Sequence, residues 1–198
     1  MKNYLPKFSS DFQAKIKSYR RWQDAQLSLL GRILLFNGIE KISTYNPYDK
    51  VIKHTKYSKP YFDNDLVRFN ISHSGEIAIC ILSKEHEVGI DIELMSDIEI
   101  DDFKFQMTEN EWNTIIESNH KEAFFEYWTQ KEAVIKAHGH GLTIPLKSFE
   151  IFNNTTKING EIFNLKEIKI DKKYKCYVSL KRDIDDIYLK EEKYNTNN

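Results

Sequence analysis

Apolar residues recur every three or four positions in the first part of the chain, which is the spacing of a helix that buries one face. The stripe comprises Phe12, Ile16, Tyr19, Leu29, Ile33 and Phe36. It predicts one long helix or two abutting helices. Ser9, Ser10 and Asp11 can cap the start, and Asn37-Gly38 predicts the end, because glycine commonly follows the last helical turn.

The pattern then changes from helix to strand. Residues 39–66, which contain Pro47 and Pro60, are predicted to be irregular. Strand signals follow at residues 67–72, 77–82 and 87–94. A tight turn with the sequence SHSG, residues 72–75, is predicted between the first two strands.

The third predicted strand alternates strictly between β-branched apolar residues and residues that are either glycine or acidic. Val88, Ile90 and Ile92 share one face, and Gly89, Asp91 and Glu93 share the other. A half-buried strand with one wet side is the ordinary explanation. Asp and Glu are poor strand formers, however, and two adjacent carboxylates repel each other unless a cation lies between them. A few oxygen ligands without His or Cys beside them suit Mg²⁺.

One helix is predicted to begin before Phe124 and to run through the stretch at residues 124–142, FFEYWTQKEAVIKAHGHGL, where it ends at the glycines. Trp128, Glu132 and Lys136 are four residues apart and therefore share one face. We expect Trp128 to pack the helix against a sheet, and Lys131 to be an ion-pair partner that orients its neighbour Glu132. An exposed Glu–Lys pair, worth a few tenths of a kcal/mol, is the ordinary alternative.

The remaining segments complete a mixed fold. Thr108 and Glu111 have the spacing of a capping box before a short helix, and residues 97–102 are a predicted linker. Strands are predicted at residues 146–152, at 160–165 or 167–170, and at 174–181. The prediction is an α+β fold with two similar lobes, residues 1–96 and 97–198, related by a pseudo-twofold axis. Each lobe is expected to be a small antiparallel sheet packed with a long helix.

The composition excludes several classes of protein. With 198 residues, of which 40% are hydrophobic and 30% charged, the chain is long enough to bury a core and too apolar for disorder. It has no apolar run near the roughly 20 residues of a membrane helix, and its start lacks a secretory signal pattern. Cys80 and Cys176 are expected to be reduced thiols in a cytoplasmic protein. A net charge of −1 argues against nucleic acid as a partner and requires any anion site to be local.

Two stretches together carry a resemblance to a known family. They are VGIDIE at residues 88–93 and FxxxWxxKEAxxKxxGxGL at residues 124–142. NISHSG at 70–75 and, less sharply, DAQLSLLG at 24–31 extend the match, which spans most of residues 15–150. These motifs closely resemble the 4′-phosphopantetheinyl transferase superfamily, in its monomeric, double-lobed type that activates peptide and polyketide synthetases.

The resemblance implies an activity and a set of catalytic and metal-binding residues. The reaction is transfer of phosphopantetheine from coenzyme A to a serine of an apo acyl or peptidyl carrier protein, with release of adenosine 3′,5′-bisphosphate. Asp91, Glu93 and Glu132 are implied to hold Mg²⁺. Glu132 is also implied to be the general base on the carrier serine, either directly or through a metal-bound water. Lys136 is implied to contact the phosphates of coenzyme A.

The resemblance also implies residues that bind coenzyme A, several of them at its nucleotide end. These are Lys15, Lys59, Ser72 and His73, with Lys136 completing the set. Leu27 stands where relatives often carry Arg, so one phosphate contact of the family has no counterpart at that position. Arg20 or Arg21 is the candidate replacement.

Other functions remain open at this point. A Mg²⁺-dependent pyrophosphohydrolase of coenzyme A could use the same carboxylates with water as the acceptor. A non-catalytic module that binds carrier proteins or coenzyme A is a third reading, although Asp91, Glu93, Glu132 and Lys136 are all present. An α+β domain with nothing more than surface charge is the simplest alternative.

Overall fold

The structure, a computed structural model, describes residues 3–43, 46, 47, 51–63, 67–184 and 186–194. The helices are α1 (Ser10–Ser18), α2 (Trp22–Ile42), α3 (Glu109–Glu117) and α4 (His120–His138). The strands of the first part are β1 (Ile52–His54), β2 (Pro60–Phe62), β3 (Arg68–Ser74), β4 (Ile77–Ser83) and β5 (Val88–Leu94). The strands of the second part are β6 (Thr155–Ile158), β7 (Glu161–Glu167) and β8 (Tyr174–Leu180).

The strands form small antiparallel sheets. β1 pairs with β2, β3 pairs with β4, and a four-stranded sheet has the order β5-β8-β7-β6. Helices pack on these sheets without alternating with parallel strands, so the α+β prediction is confirmed. The β3–β4 sheet has two strands and the sheet after it has four, so the two predicted lobes carry sheets of different size.

The main elements are stacked in layers. Phe69, Ile71 and Leu82 of the β3–β4 hairpin join the apolar cluster of α1 and α2. The opposite face of the hairpin carries Ile77, Ile79 and Ile81, which pack with a second cluster that contains Ile90, Ile92 and Val178 of the four-stranded sheet. α4 covers the other face of that sheet through its contacts with β5 and β8. β5 therefore lies between the hairpin and α4, and the face of Gly89, Asp91 and Glu93 is covered rather than wet.

β5 connects the two halves of the chain. It pairs along its whole length with β8, from Val88 opposite Leu180 to Leu94 opposite Tyr174. Although β5 precedes the predicted division between residues 96 and 97, it forms part of the C-terminal sheet. The division into two lobes stays a prediction, and this pairing favours a boundary before Val88.

Three predictions for the N-terminal half need correction. α2 continues past Asn37-Gly38 to Ile42, because Gly38 serves close packing: a methyl group there would overlap the side chain of Leu82. Residues 72–74 belong to β3, and the chain turns at Gly75, whose φ of +56° suits glycine. The predicted irregular segment contains β1 and β2 within its described part, whereas residues 44, 45, 48–50 and 64–66 lie outside the described residues.

The C-terminal half agrees with the sequence at its helices and disagrees at one strand. The capping box of Thr108 and Glu111 is present, and α4 ends at Gly139 with a φ of +85°. The predicted strand 146–152 is wrong, since Leu146–Ser148 is a 3-10 turn, and β6 was missed. The predicted linker at residues 97–102 runs into a 3-10 helix, Ile100–Gln106.

Two further expectations from composition can be compared with the structure. Cys80 and Cys176 are free thiols, the first half-buried and the second buried. Within the described ranges, the helices are too short or too polar to cross a membrane.

Candidate active site

The site is built where α4 packs directly on β5. Gly89 makes this approach possible, because a methyl group on it would overlap the backbone oxygen of Ala133 and the backbone nitrogen of Ala137. With the helix this close, Lys136 reaches the carboxylate of Asp91 two residues further along β5. The close approach of α4 to β5 at this point therefore depends on Gly89, which has no side chain.

Asp91 is the most buried carboxylate of the site, with 3% of its surface exposed. Its Oδ1 accepts hydrogen bonds from Lys136 Nζ at 2.5 Å and from Ser72 Oγ at 2.9 Å. Its Oδ2 is buried and has no hydrogen-bond partner. Burying a carboxylate oxygen without a hydrogen-bond partner costs free energy. A cation, or a hydrogen-bond donor supplied by a ligand, would offset that cost at this atom.

Glu93 and Glu132 lie close enough to Asp91 to share its electrostatic environment. Burial, followed by the charge of Asp91, raises the pKa of Glu93 to about 7. The same two causes raise the pKa of Glu132, and burial raises the pKa of Asp91 itself, against the opposing effect of Lys136. Three carboxyl groups that hinder one another's ionisation form a site that gains from a bound cation.

The chemistry of these side chains fits a hard divalent cation. Carboxylate oxygens are the ligands that Mg²⁺ prefers, and Oδ2 of Asp91 is available for one. Within the described residues, however, no group of three or more His, Cys, Asp or Glu side chains has ready-made metal-binding geometry. Lys136 Nζ is the positive charge that neutralises Asp91 in this arrangement.

Ser72 and His73, which the resemblance implies as coenzyme A contacts, both lie beside these carboxylates. Ser72 is buried and contacts both charged groups, since its hydroxyl donates to Asp91 and accepts from Lys136 Nζ at 3.0 Å. His73 is exposed on the next position of β3. Partial desolvation and then the charge of Lys136 lower the pKa of the His73 imidazole, which favours the neutral ring.

Lys59 and Lys15 are the other two predicted coenzyme A residues. Lys59 Nζ is 2.5 Å from Glu87 Oε2 and 3.3 Å from the backbone oxygen of Ala137. It lines a cleft of about 440 Å³ together with the aromatic rings of Tyr57 and His140. Lys15 is exposed on α1. Their assignments, like those of the other site residues, stay predictions.

Two arginines between α1 and α2, and Leu27 within α2, bear on the missing arginine. Leu27 is buried, with 8% of its surface exposed, so it is a core residue of α2. Arg20 and Arg21 are exposed, and Arg21 Nε lies 4.0 Å from Asp24 Oδ2. Their role as replacement anion ligands also stays a prediction.

Two residues of the α4 motif have structural roles. The Trp128 ring contacts the rings of Phe103 and Phe124, with centroid distances of 5.3 and 5.9 Å, so it is a packing residue as expected. Lys131 is an ion-pair partner, but of Glu111 and not of its neighbour Glu132. Consecutive residues of an α-helix are about 100° apart around its axis, so Lys131 can face α3 while Glu132 faces the site.

Comparisons with known proteins identify the family of this chain. A family model described as the 4′-phosphopantetheinyl transferase superfamily matches residues 87–187, and one described as 4′-phosphopantetheinyl transferase, N-terminal, matches residues 4–86. The two models meet just before β5.

Curated relatives carry the same name. The chain is 34% identical over 177 residues to 4′-phosphopantetheinyl transferase gsp of Aneurinibacillus migulanus, covering 85% of this chain and 74% of the relative. It is 30% identical over 152 residues to 4′-phosphopantetheinyl transferase Sfp of Bacillus subtilis strain 168, covering 75% and 67%. It is 31% identical over 170 residues to L-aminoadipate-semialdehyde dehydrogenase-phosphopantetheinyl transferase of Xenopus laevis, covering 75% and 55%. With both halves matched by family models and two relatives aligned over most of their length, the chain belongs to the 4′-phosphopantetheinyl transferase superfamily.

Proposed function

We propose that this protein transfers the 4′-phosphopantetheine group of coenzyme A to a serine hydroxyl of an apo acyl or peptidyl carrier protein. The observation that carries the proposal is the packing of α4 on β5, which gathers Asp91, Glu93, Glu132 and Lys136 around one point. The serine oxygen forms a bond to the phosphorus nearer the pantetheine. The bond from that phosphorus to the bridging oxygen breaks, and adenosine 3′,5′-bisphosphate leaves.

Glu132 is the proposed general base for the serine proton. Burial and the charge of Asp91 raise its pKa, so its carboxylate is a better proton acceptor than an ordinary glutamate. It is only half-buried, so an incoming hydroxyl can approach it. The proton that leaves the serine thus has a nearby group that gains stability by accepting it.

Lys136 is proposed to balance charge on the phosphates. Its ammonium lies one helical turn from Glu132 and already pairs with a buried carboxylate. When the bridging bond breaks, negative charge grows on the leaving phosphate, and a fixed ammonium at that position lowers the energy of the transition state. Ser72 accepts a hydrogen bond from the Lys136 ammonium and so limits its movement.

Mg²⁺ is the proposed metal, held by Asp91, Glu93 and Glu132. When bound, it neutralises the phosphate charge and orients the pyrophosphate for in-line attack. Asp91 contributes the strongest support, because its buried Oδ2 lacks a hydrogen-bond partner.

The partners and the setting are part of the same proposal. We infer that coenzyme A is the donor, with Ser72, His73, Lys59 and Lys15 along its nucleotide end, and that the acceptor is a carrier protein. A neutral His73 ring, which its lowered pKa favours, can donate one hydrogen bond to a phosphate oxygen or to the nucleotide. The chain is proposed to act as a monomer in the cytoplasm.

The test is intact-mass spectrometry of apo carrier proteins of several classes after incubation with this protein, coenzyme A and Mg²⁺. We expect a gain of one phosphopantetheinyl group, which a chelator prevents. Cleavage of coenzyme A with an unmodified carrier would instead establish a pyrophosphohydrolase. Unmodified carriers with intact coenzyme A would leave a binding module as the explanation.

A further inference from the structure

β3 and β5 belong to different sheets, yet side-chain oxygens of β3 accept hydrogen bonds from backbone N–H groups of β5. The bonds run from Ile90 N to Asn70 Oδ1 at 2.9 Å, from Ile92 N to Ser72 Oγ at 3.3 Å, and from Leu94 N to Ser74 Oγ at 3.0 Å. Alternate N–H groups of a strand point to the same edge, so these three all lie on the edge of β5 that faces away from β8. We call Asn70, Ser72 and Ser74 the polar seam.

Two members of the polar seam also hold carboxylates of the candidate active site. Ser72 Oγ donates to Asp91 Oδ1 at 2.9 Å, and Ser74 Oγ donates to Glu93 Oε2 at 2.8 Å. A serine hydroxyl has one hydrogen and two lone pairs. Once its oxygen accepts a backbone hydrogen of β5, its own hydrogen is free for the neighbouring carboxylate. The seam therefore repeats one unit, in which a serine binds both the backbone and a carboxylate of β5.

Ser72 is already part of the site through Lys136, whereas Ser74 has no role in the function proposed above. We propose that Ser74 is a positioning residue, which holds the Glu93 carboxylate in the orientation that binds the cation. This inference rests on the proposed function, because it takes Glu93 as a metal ligand. Glu93 is only half-buried, so without this bond its side chain would be free to take other rotamers.

The hairpin itself is well placed to hold Ser74 still. Ser74 lies directly opposite Ile77 in the β3–β4 register. Ile77 packs with the apolar cluster that contains Ile90 and Ile92 of β5. The hydroxyl is therefore anchored through the same hairpin face that docks on the four-stranded sheet. Hydrogen bonds to metal-ligating carboxylates from such fixed partners commonly strengthen metal affinity by about tenfold or more.

The test measures Mn²⁺ binding to the full chain by electron paramagnetic resonance of the free ion, with and without coenzyme A. In Ser74→Ala we expect the dissociation constant of Mn²⁺ to rise by about tenfold, while Ser74→Thr, which keeps the hydroxyl, stays near wild type. Asn70→Ala is the matched control, because it removes a seam bond to Ile90 without touching a carboxylate. We expect Asn70→Ala to lower the melting temperature but to leave Mn²⁺ affinity near wild type.

The outcomes separate the inference from the proposed function. Equal Mn²⁺ affinity in Ser74→Ala and wild type overturns the positioning role alone, as does an equal loss in Asn70→Ala. A wild-type chain that binds no Mn²⁺ under either condition overturns both the positioning role and the metal assignment. If Ser74→Ala does not fold, Ser74→Thr and Ser74→Val make the same comparison, since they differ only in a hydroxyl against a methyl group. Equal Mn²⁺ affinity in that pair then overturns the inference.

Discussion

Lys131 Nζ lies 2.9 Å from Glu111 Oε2, and the two side chains are 0% and 1% exposed. The same ammonium donates to the backbone oxygens of Leu146 at 2.8 Å and Phe149 at 2.6 Å, so all three of its hydrogens have acceptors. The pair joins α3 to α4 at the turn that carries Glu132. It therefore fixes the candidate base without contacting it.

Lys131→Met is expected to destabilise the protein by about 3–5 kcal/mol, because Glu111 would be left buried without its counter-charge. Glu111 would still accept from the backbone nitrogens of Thr108 and Ile151, but two neutral donors do not replace the charge of an ammonium. Urea unfolding measures the change. Lys121→Met is the matched control on α4, since Lys121 pairs with the fully exposed Asp97, and we expect little effect from it. Equal stability of the two variants would contradict the buried pair.

Glu132→Gln is expected to lower the rate of carrier modification by about 100- to 10,000-fold, the usual contribution of a general base. Folding and coenzyme A binding should be largely retained, because the amide keeps the size of the side chain. Intact-mass time courses measure the rate, and calorimetry measures coenzyme A binding.

Glu126→Gln serves as the control for this prediction. Glu126 lies on the same helix, where it accepts a hydrogen bond from Tyr177 and faces Lys175, away from the candidate base. Its variant should turn over near the wild-type rate. Wild-type turnover in Glu132→Gln would remove the base assignment.

Gly89→Ala is expected to destabilise the protein by about 3 kcal/mol and to lower activity even where the variant is folded. The added methyl group meets backbone atoms of Ala133 and Ala137, which can only move with the whole helix, and such a movement separates Lys136 from β5. Thermal melting and carrier modification at low temperature measure the two effects.

In Gly38→Ala the methyl group meets only a Leu82 side chain, and alanine favours the helix. That variant should stay within about 1 kcal/mol of wild type, and equal losses in the two would contradict the close approach at β5.

The two motifs with local periodicity could be predicted from the sequence. The alternation of β5 places Asp91 and Glu93 on one face, and the spacing of α4 puts Glu132 and Lys136 together, since each pattern depends on neighbours in the chain. Only the family resemblance predicted that these two pairs of side chains come together, because their contact depends on Gly89 and on a helix far along the sequence. A local pattern shows which side chains share one face of a helix or strand. Which other element packs against that face depends on contacts between residues far apart in the sequence.

The sequence alone does not predict the polar seam or the C-terminal end of α2. Asn70, Ser72 and Ser74 alternate like a strand, but polar turn-forming residues near a glycine favoured a turn. The matching alternation of polar residues in β5 was the signal that could have found Ser74. Asn37-Gly38 has the pattern of a helix stop, but Leu82, the packing partner of Gly38, lies on a distant strand and leaves no signal near it in the sequence.

Metal-free protein is expected to lose stability as the pH rises from about 4.5 to about 7, because of Glu93. Burial and the charge of Asp91 raise the pKa of Glu93 from 4.5 to about 7, so in this range the folded state binds more protons than the unfolded state. Stability then falls with rising pH, and the contribution of this group is fully present only below its unfolded pKa. Glu93→Gln cannot ionise and should lack this loss. Melting temperatures of both proteins in chelator, followed across this pH range, measure the difference.

Addition of Mg²⁺ provides the second half of the same experiment. A cation that binds ionised Glu93 competes with its proton, so Mg²⁺ should stabilise the wild type more at pH 8 than at pH 5. The Glu93→Gln variant should gain less from Mg²⁺ at either pH, because its amide is a weaker ligand. Parallel melting curves for the two proteins in chelator would show that Glu93 titrates normally. A Mg²⁺ effect that does not change with pH would separate the ion from this carboxylate.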